Sequence, residues 1–210
     1  MKNKILIILV LLLSFSLARA QTVDDLLRAT SNNDIARVQR LINAGMDPNT
    51  SDQHGNTLLI IAGAEGYFDL AKLLLTERAR VRARNAVGDS ALMLAALRGH
   101  LEMVRLLAAY GGELSPSGWT PLHYCAWEGQ TDVCRLLIEL GANVNARSEN
   151  GTTPLMMAAQ QGKTDVVRLL LQSKADTTAR NEHEATALAW AIKYEQRDVA
   201  TILRAAGVRE

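Results

Sequence analysis

The chain has 210 residues, 48% hydrophobic and 21% charged with only 4% aromatic, a composition that excludes collagen, low-complexity disorder and a disulfide-dense mini-protein. Its 23 basic and 22 acidic residues leave a net charge of +1, so no global field draws it to nucleic acid or anionic lipid. Two cysteines cannot build a disulfide framework.

Residues 1–20 read as an address and not as part of the fold. Lys2 and Lys4 form a short positive region, Ile5 to Leu13 is an unbroken apolar run, and Ala18-Arg19-Ala20 closes it in an A-x-A pattern before Gln21. That layout predicts a signal peptide cleaved after Ala20, because Arg19 ends the apolar stretch short of the roughly 20 residues a membrane span needs. The lysine-led leader resembles bacterial ones, so export to the periplasm is expected, with secretion as the alternative. Without Lys2, Lys4 and Arg19 the mature chain carries 20 basic and 22 acidic residues, a net of −2. No nucleic-acid partner and no stable membrane insertion are expected of it.

From residue 22 onward the chain repeats itself. Gly66, Gly99, Gly129 and Gly162 follow one another at spacings of 33, 30 and 33, and Gly55, Gly88, Gly118 and Gly151 repeat the same intervals. Extending the first series by one period each way reaches Asn33 and Glu195, which gives about six units, at approximately 22–50, 51–84, 85–116, 117–147, 148–180 and 181–210. Each unit predicts the same elements. Thr57, Ser90, Thr120, Thr153 and Thr186 are hydroxyl N-caps, with Pro121 and Pro154 at a first helical position where the missing N–H costs nothing. A short Ala- and Leu-rich helix follows, too brief to stand alone. A glycine ends it in a left-handed cap. A second helix opens with an acid in its first turn, at Asp69, Glu102, Asp132, Asp165 and Asp198, where the helix dipole favours negative charge.

Gly118-Trp119-Thr120-Pro121-Leu122-His123 and Gly141-Ala142-Asn143-Val144-Asn145-Ala146 resemble the two signature halves of the ankyrin repeat. The resemblance covers nearly all of residues 22–210. It implies an all-α solenoid of about six helix-turn-helix units joined by β-hairpin-like fingers, and a protein-binding role without catalysis, cofactor or metal. It also implies that His123 fixes its turn by hydrogen bonding. Several residues depart from the pattern. Arg78 and Lys174 replace the glycine at the exit of the second helix, Glu184 and Glu195 replace both glycines of the last unit, and Cys125 stands where a small Ala is expected. The finger from Gly111 to Gly118 is three residues shorter than its counterparts.

Catalysis needs converging groups, and no nucleophile elbow, zinc-protease helix, phosphate loop or C-x-x-C pair occurs. His123, Cys125 and Cys134 match no zinc template. A disulfide between Cys125 and Cys134 is possible in an oxidising compartment. Packed helix axes at about 8–10 Å, however, exceed the Cα separation of roughly 7 Å that a bridge tolerates, so buried free thiols are favoured. Arg78, Arg80, Arg82 and Arg84 alternate along one finger. They would share a face if extended, as a secondary basic site for an acidic or phosphate-bearing partner or simply as a solvated edge.

Function is expected on the concave face that the resemblance implies. Equivalent positions on successive first helices are Ile61, Leu94, Tyr124, Met157 and Trp190, and, three residues later, Ala64, Leu97, Trp127, Gln160 and Lys193. Trp119, Tyr124, Trp127, Met157, Trp190, Leu94 and Leu97 are therefore the candidate partner-binding residues, since exposed rings are the usual anchors of interfaces. The expected protein, monomeric when free, is a scaffold or stabiliser of a protein partner. An inhibitor or immunity-type protein is the alternative, and a small-ligand binder or enzyme using the Trp119, Tyr124 and Trp127 pocket is the runner-up class.

Overall fold

The computed structural model describes residues 23–207, and the leader with its cleavage point lies outside them. Twelve helices follow in pairs among the described residues: α1 (23–31) with α2 (Ile35–Asn43), α3 (Leu58–Glu65) with α4 (Phe68–Thr76), and α5 (Ala91–Arg98) with α6 (Leu101–Ala109). The remaining pairs are α7 (Pro121–Glu128) with α8 (Thr131–Glu139), α9 (Pro154–Gln160) with α10 (Thr164–Gln172), and α11 (Ala187–Lys193) with α12 (Arg197–Ala205). All five hydroxyl residues expected as caps stand at the N-caps of α3, α5, α7, α9 and α11. Left-handed backbone persists where glycine has been replaced: Asn33, Arg78, Lys174, Glu184 and Glu195 all have φ between 54° and 64°. The turn is thus imposed by the repeat geometry even on residues for which it is strained.

Helices of seven to nine residues cannot hold themselves together, and stacking supplies what is missing. α3, α5, α7, α9 and α11 pack one on the next as one layer, and α2, α4, α6, α8, α10 and α12 as the other. Between the layers run fully buried residues at equivalent positions: Ala62, Ala95, Cys125, Ala158 and Ala191 from the first helices, and Leu74, Leu107, Leu137, Leu170 and Leu203 from the second.

Successive units are also tied by side chains at the N-caps of the second helices. Tyr67 donates to Ser31 O (3.1 Å), His100 Nε2 bonds Ala64 O (3.1 Å), Gln130 Nε2 donates to Leu97 O (3.4 Å) and Gln196 Nε2 to Gln160 O (3.2 Å). Each satisfies a carbonyl at the open C-terminal end of the preceding unit's first helix. In the last three of these the reaching side chain lies directly over that unit's glycine. A Cβ on Gly162 would meet Gln196 Oε1 at 2.3 Å, and one on Gly99 would meet Gln130 Oε1 at 2.5 Å. Glycine is favoured there for its positive φ, and a Cβ would in addition force the overlying side chain to shift. Glu195, at the same position in the last described unit, keeps the left-handed conformation with φ 59°.

The fingers are joined at their tips by Ala86 N–H to His54 O and Glu182 N–H to Asn150 O, both 2.9 Å. Counting back from Gly118, the equivalent donor in the shortened finger is Pro116, which has no N–H. The ladder is therefore interrupted between the third and fourth units, next to Val87, which is 81% exposed. Ser115 takes over the other inter-unit contact, accepting from Asn143 N–H (2.8 Å) as Asn49 does from Arg80 and Asn145 from Asp176.

Candidate functional site

Beside that interruption the first-helix layer opens into a cleft of about 250 Å³ lined by Leu97, Trp119, Tyr124 and Trp127. Each wall has a local cause. Trp119 sits at the tip of the shortened finger, immediately before the N-cap Thr120. Tyr124 and Trp127 are three residues apart on α7 and so share one helix face, and Leu97 comes from the neighbouring α5. The Trp119 and Tyr124 rings meet edge to face, with centroids 5.9 Å apart and planes at 75°. Trp119 and Trp127 are 38% and 37% exposed.

Beneath the rings, His123 is fully buried and accounts for their placement. Its Nδ1 accepts from Thr120 N–H (3.2 Å) and pairs with Thr120 Oγ1 (2.8 Å), while Nε2 lies 3.0 Å from Thr152 O in the next unit. That pattern needs the neutral ring with its proton on Nε2. Burial lowers the His123 pKa to about 4, against which the Thr152 carbonyl acts only partly. The Tyr124 hydroxyl donates to an Asp89 carboxylate oxygen. Burial first, and then that carboxylate, push the phenol well above its usual range.

A second cleft of about 400 Å³ opens at the sixth unit, where Asn150, His183, Ala189, Trp190, Lys193 and Tyr194 line it. The Trp190 and Tyr194 rings are 6.2 Å apart, and Lys193 Nζ lies 5.7 Å from the Tyr194 ring centroid.

The residues singled out from the sequence divide accordingly. Trp119, Tyr124, Trp127 and Leu97 converge; Leu94 is half-buried against the core close by; Trp190 lies apart, also half-buried, in the second cleft. Met157 is only 3% exposed and is not available as a contact residue. It belongs to the apolar core on α9, which is packed between α7 and α11. Asp89 and Tyr194 escaped the sequence reading. Asp89 occupies the same finger-tip position as Trp119 one unit earlier, which was the available signal.

The preference for free thiols is overturned. Cys125 and Cys134 form a disulfide with their Cα atoms 5.6 Å apart, and neither sulfur remains as a metal ligand. The axis-to-axis estimate misled because these residues point at each other where α7 and α8 come closest. The equivalent pairs in other units are Ala62 with Ala71, Ala95 with Val104, Ala158 with Val167 and Ala191 with Ala200, so the first-helix member is always small and the second never larger than Val. The arginine finger is not a uniform free edge either. Arg84 pairs with Glu113 (3.3 Å) and donates to Gly88 O. Arg82 donates to Gly111 O (2.8 Å) and lies 3.9 Å from Glu113. Both stitch the end of the second unit to the start of the shortened finger, and among the described residues only Arg78 and Arg80 of the four form no ion pair.

Residues 64–148 and 140–209 match the family described as Ankyrin repeats (3 copies). Human Protein phosphatase 1 regulatory subunit 27 is 35% identical over 83 residues, 38% of this chain and 54% of that protein. Human Ankyrin repeat and SOCS box protein 16 is 40% identical over 90 residues, 41% of this chain and 20% of that protein. The rice Probable E3 ubiquitin-protein ligase XBOS33 is 38% identical over 87 residues, 40% of this chain and 17% of that protein. The matches thus span from about half to less than a fifth of these relatives' lengths.

Proposed function

The chain belongs to the ankyrin-repeat family, whose members are protein-interaction modules, and from that premise we propose an exported module that holds a protein partner on its concave face. The observation that carries the proposal is the cleft at the interrupted finger. Trp127 and the half-buried Tyr124 on helix α7, with Trp119 just ahead of its N-cap, gather there, and both tryptophans stand open to solvent where the core does not need them. Export to the periplasm, as expected of a bacterial chain with this leader, is supported by Lys2, the Ile5 to Leu13 run and Ala18-Arg19-Ala20, and by a buried disulfide that an oxidising compartment would keep. The role is that of a scaffold or stabiliser. A regulatory role, inhibition among its forms, is the alternative and draws its support from the relative named as a phosphatase regulatory subunit.

The test is affinity capture from an extract of exported proteins with the wild-type chain and with Trp127→Ala. Truncating a central ring should weaken the complex about thirtyfold, roughly 2 kcal/mol, with the far-UV circular dichroism unchanged. Neutralising Arg80 and Arg82 together should mainly slow association in low salt. If Trp127→Ala binds at full strength while the arginine variant fails, the interface lies on the fingers.

A further inference from the structure

We propose that the cleft of Leu97, Trp119, Tyr124 and Trp127 is a receptor for a quaternary or fully methylated ammonium group. It shares its place with the interface above, but it needs no protein partner. Three aromatic rings and one leucine make up the lining. The near-perpendicular Trp119 and Tyr124 form a corner. Trp127 has no ring contact among the described residues and stands off from that pair as a separate wall. Aromatic faces carry negative potential and attract a cation placed over them. The Asp89 carboxylate is not part of the lining but accepts from the Tyr124 hydroxyl, so an anionic group stands behind that ring. Arg84, the nearby cation, is engaged by Glu113 and Gly88 O.

Two further features select the kind of cation. An ordinary ammonium is strongly hydrated and would lose its water bonds on entering a cleft without acceptors, whereas methyl groups around the nitrogen remove that cost and give the rings apolar surface to touch. The size agrees, since about 250 Å³ lies below the ~300–1,000 Å³ of sites for drug-sized ligands and suits a head group. The second aromatic cleft provides an internal comparison. At the register position of Trp127 it carries Lys193, whose ammonium already lies over Tyr194. In the sixth unit the protein supplies its own cation to the rings; in the fourth that position is a third ring, and the cation must come from outside.

The source is either a free choline-like molecule or a trimethylated lysine of another protein, and calorimetric titration of the purified chain separates them. The probes are choline, its neutral isostere with carbon in place of the quaternary nitrogen, and a short peptide carrying trimethyl-lysine beside its unmethylated form. Choline or the methylated peptide should bind at least about tenfold more tightly than its neutral or unmethylated control, and the tighter of the two names the source. Trp127→Leu, which keeps an apolar wall but no π face, should lose about tenfold for the cation and little for the isostere. Asp89→Asn should weaken the cation alone. Equal affinity for choline and its isostere, together with no preference for the methylated peptide, overturns the proposal, as does saturable binding of neither cation. If Trp127→Leu fails to fold, the comparison of cation and isostere on the wild-type chain decides. A chain that captures a partner through Trp127 yet ignores both cations would refute this inference and leave the interface standing.

Discussion

Lowering the pH should unfasten this solenoid at His123 before its carboxylates respond. The ring is neutral and buried in the folded chain with a pKa of about 4, against an ordinary value of 6.5. Between those values the unfolded chain binds a proton that the folded chain refuses, so stability is full above pH 6.5, falls as the pH drops toward 4, and levels off below. The shift corresponds to a total loss of about 3 kcal/mol, with about 2 kcal/mol already gone near ~pH 5. The structural reason is specific. Protonation would place a second N–H against the Thr120 amide that Nδ1 accepts from, and would charge a ring without solvent contact. Urea unfolding from about pH 7.5 down to about pH 3.5, compared with His123→Gln, isolates this group from the carboxylates common to both proteins. The variant should be less stable at neutral pH, and the gap should narrow toward acid. A gap that is constant across the range would refute the argument, since the ring would then not titrate differently in the two states.

Thiol alkylation without reductant should add no mass, and reduction should cost about 2–3 kcal/mol of stability by the chain-entropy estimate for a loop whose ends are nine residues apart; full alkylation of the untreated protein would refute the bond. Gly162→Ala should destabilise more than Gly45→Ala, because both have positive φ but only the former meets a neighbouring side chain, Gln196 at 2.3 Å, whereas nothing lies within 4 Å of the latter. Backbone strain accounts for roughly 1 kcal/mol at both sites, and equal thermal shifts would show that the inter-unit contact is worth nothing. Thr152 Oγ1 and Asn181 Nδ2 are buried without partners at positions equivalent to Asn56 and Asn85, which bond each other at 2.9 Å. Thr152→Asn should therefore stabilise the fold by about 1 kcal/mol in a denaturation assay, and a loss of stability would contradict the equivalence.

The caps, the left-handed turns and the alternation of two helix layers were legible in the sequence because each depends on residues a few positions apart. A hydroxyl before an apolar run, an acid in a first turn and a residue forced to positive φ act within one unit, and the period repeats the signal until it stands out. Even Arg78 and Glu195 could be assigned to left-handed turns from register alone. The exposed aromatics Trp119 and Trp127 could be placed for the same reason.

What only the tertiary structure decided lies between elements. The 5.6 Å approach of Cys125 to Cys134, the burial of Met157 and the pairing of Arg82 and Arg84 with Glu113 each depend on how closely two helices or two fingers lie side by side. The same holds for the N-cap side chains resting on the preceding unit's glycines. A period of 33 specifies which residues are neighbours across the stack. It does not specify their separation or direction, and differences of an ångström or two determine whether a pair of thiols bonds, a side chain is shielded or a cleft stays open.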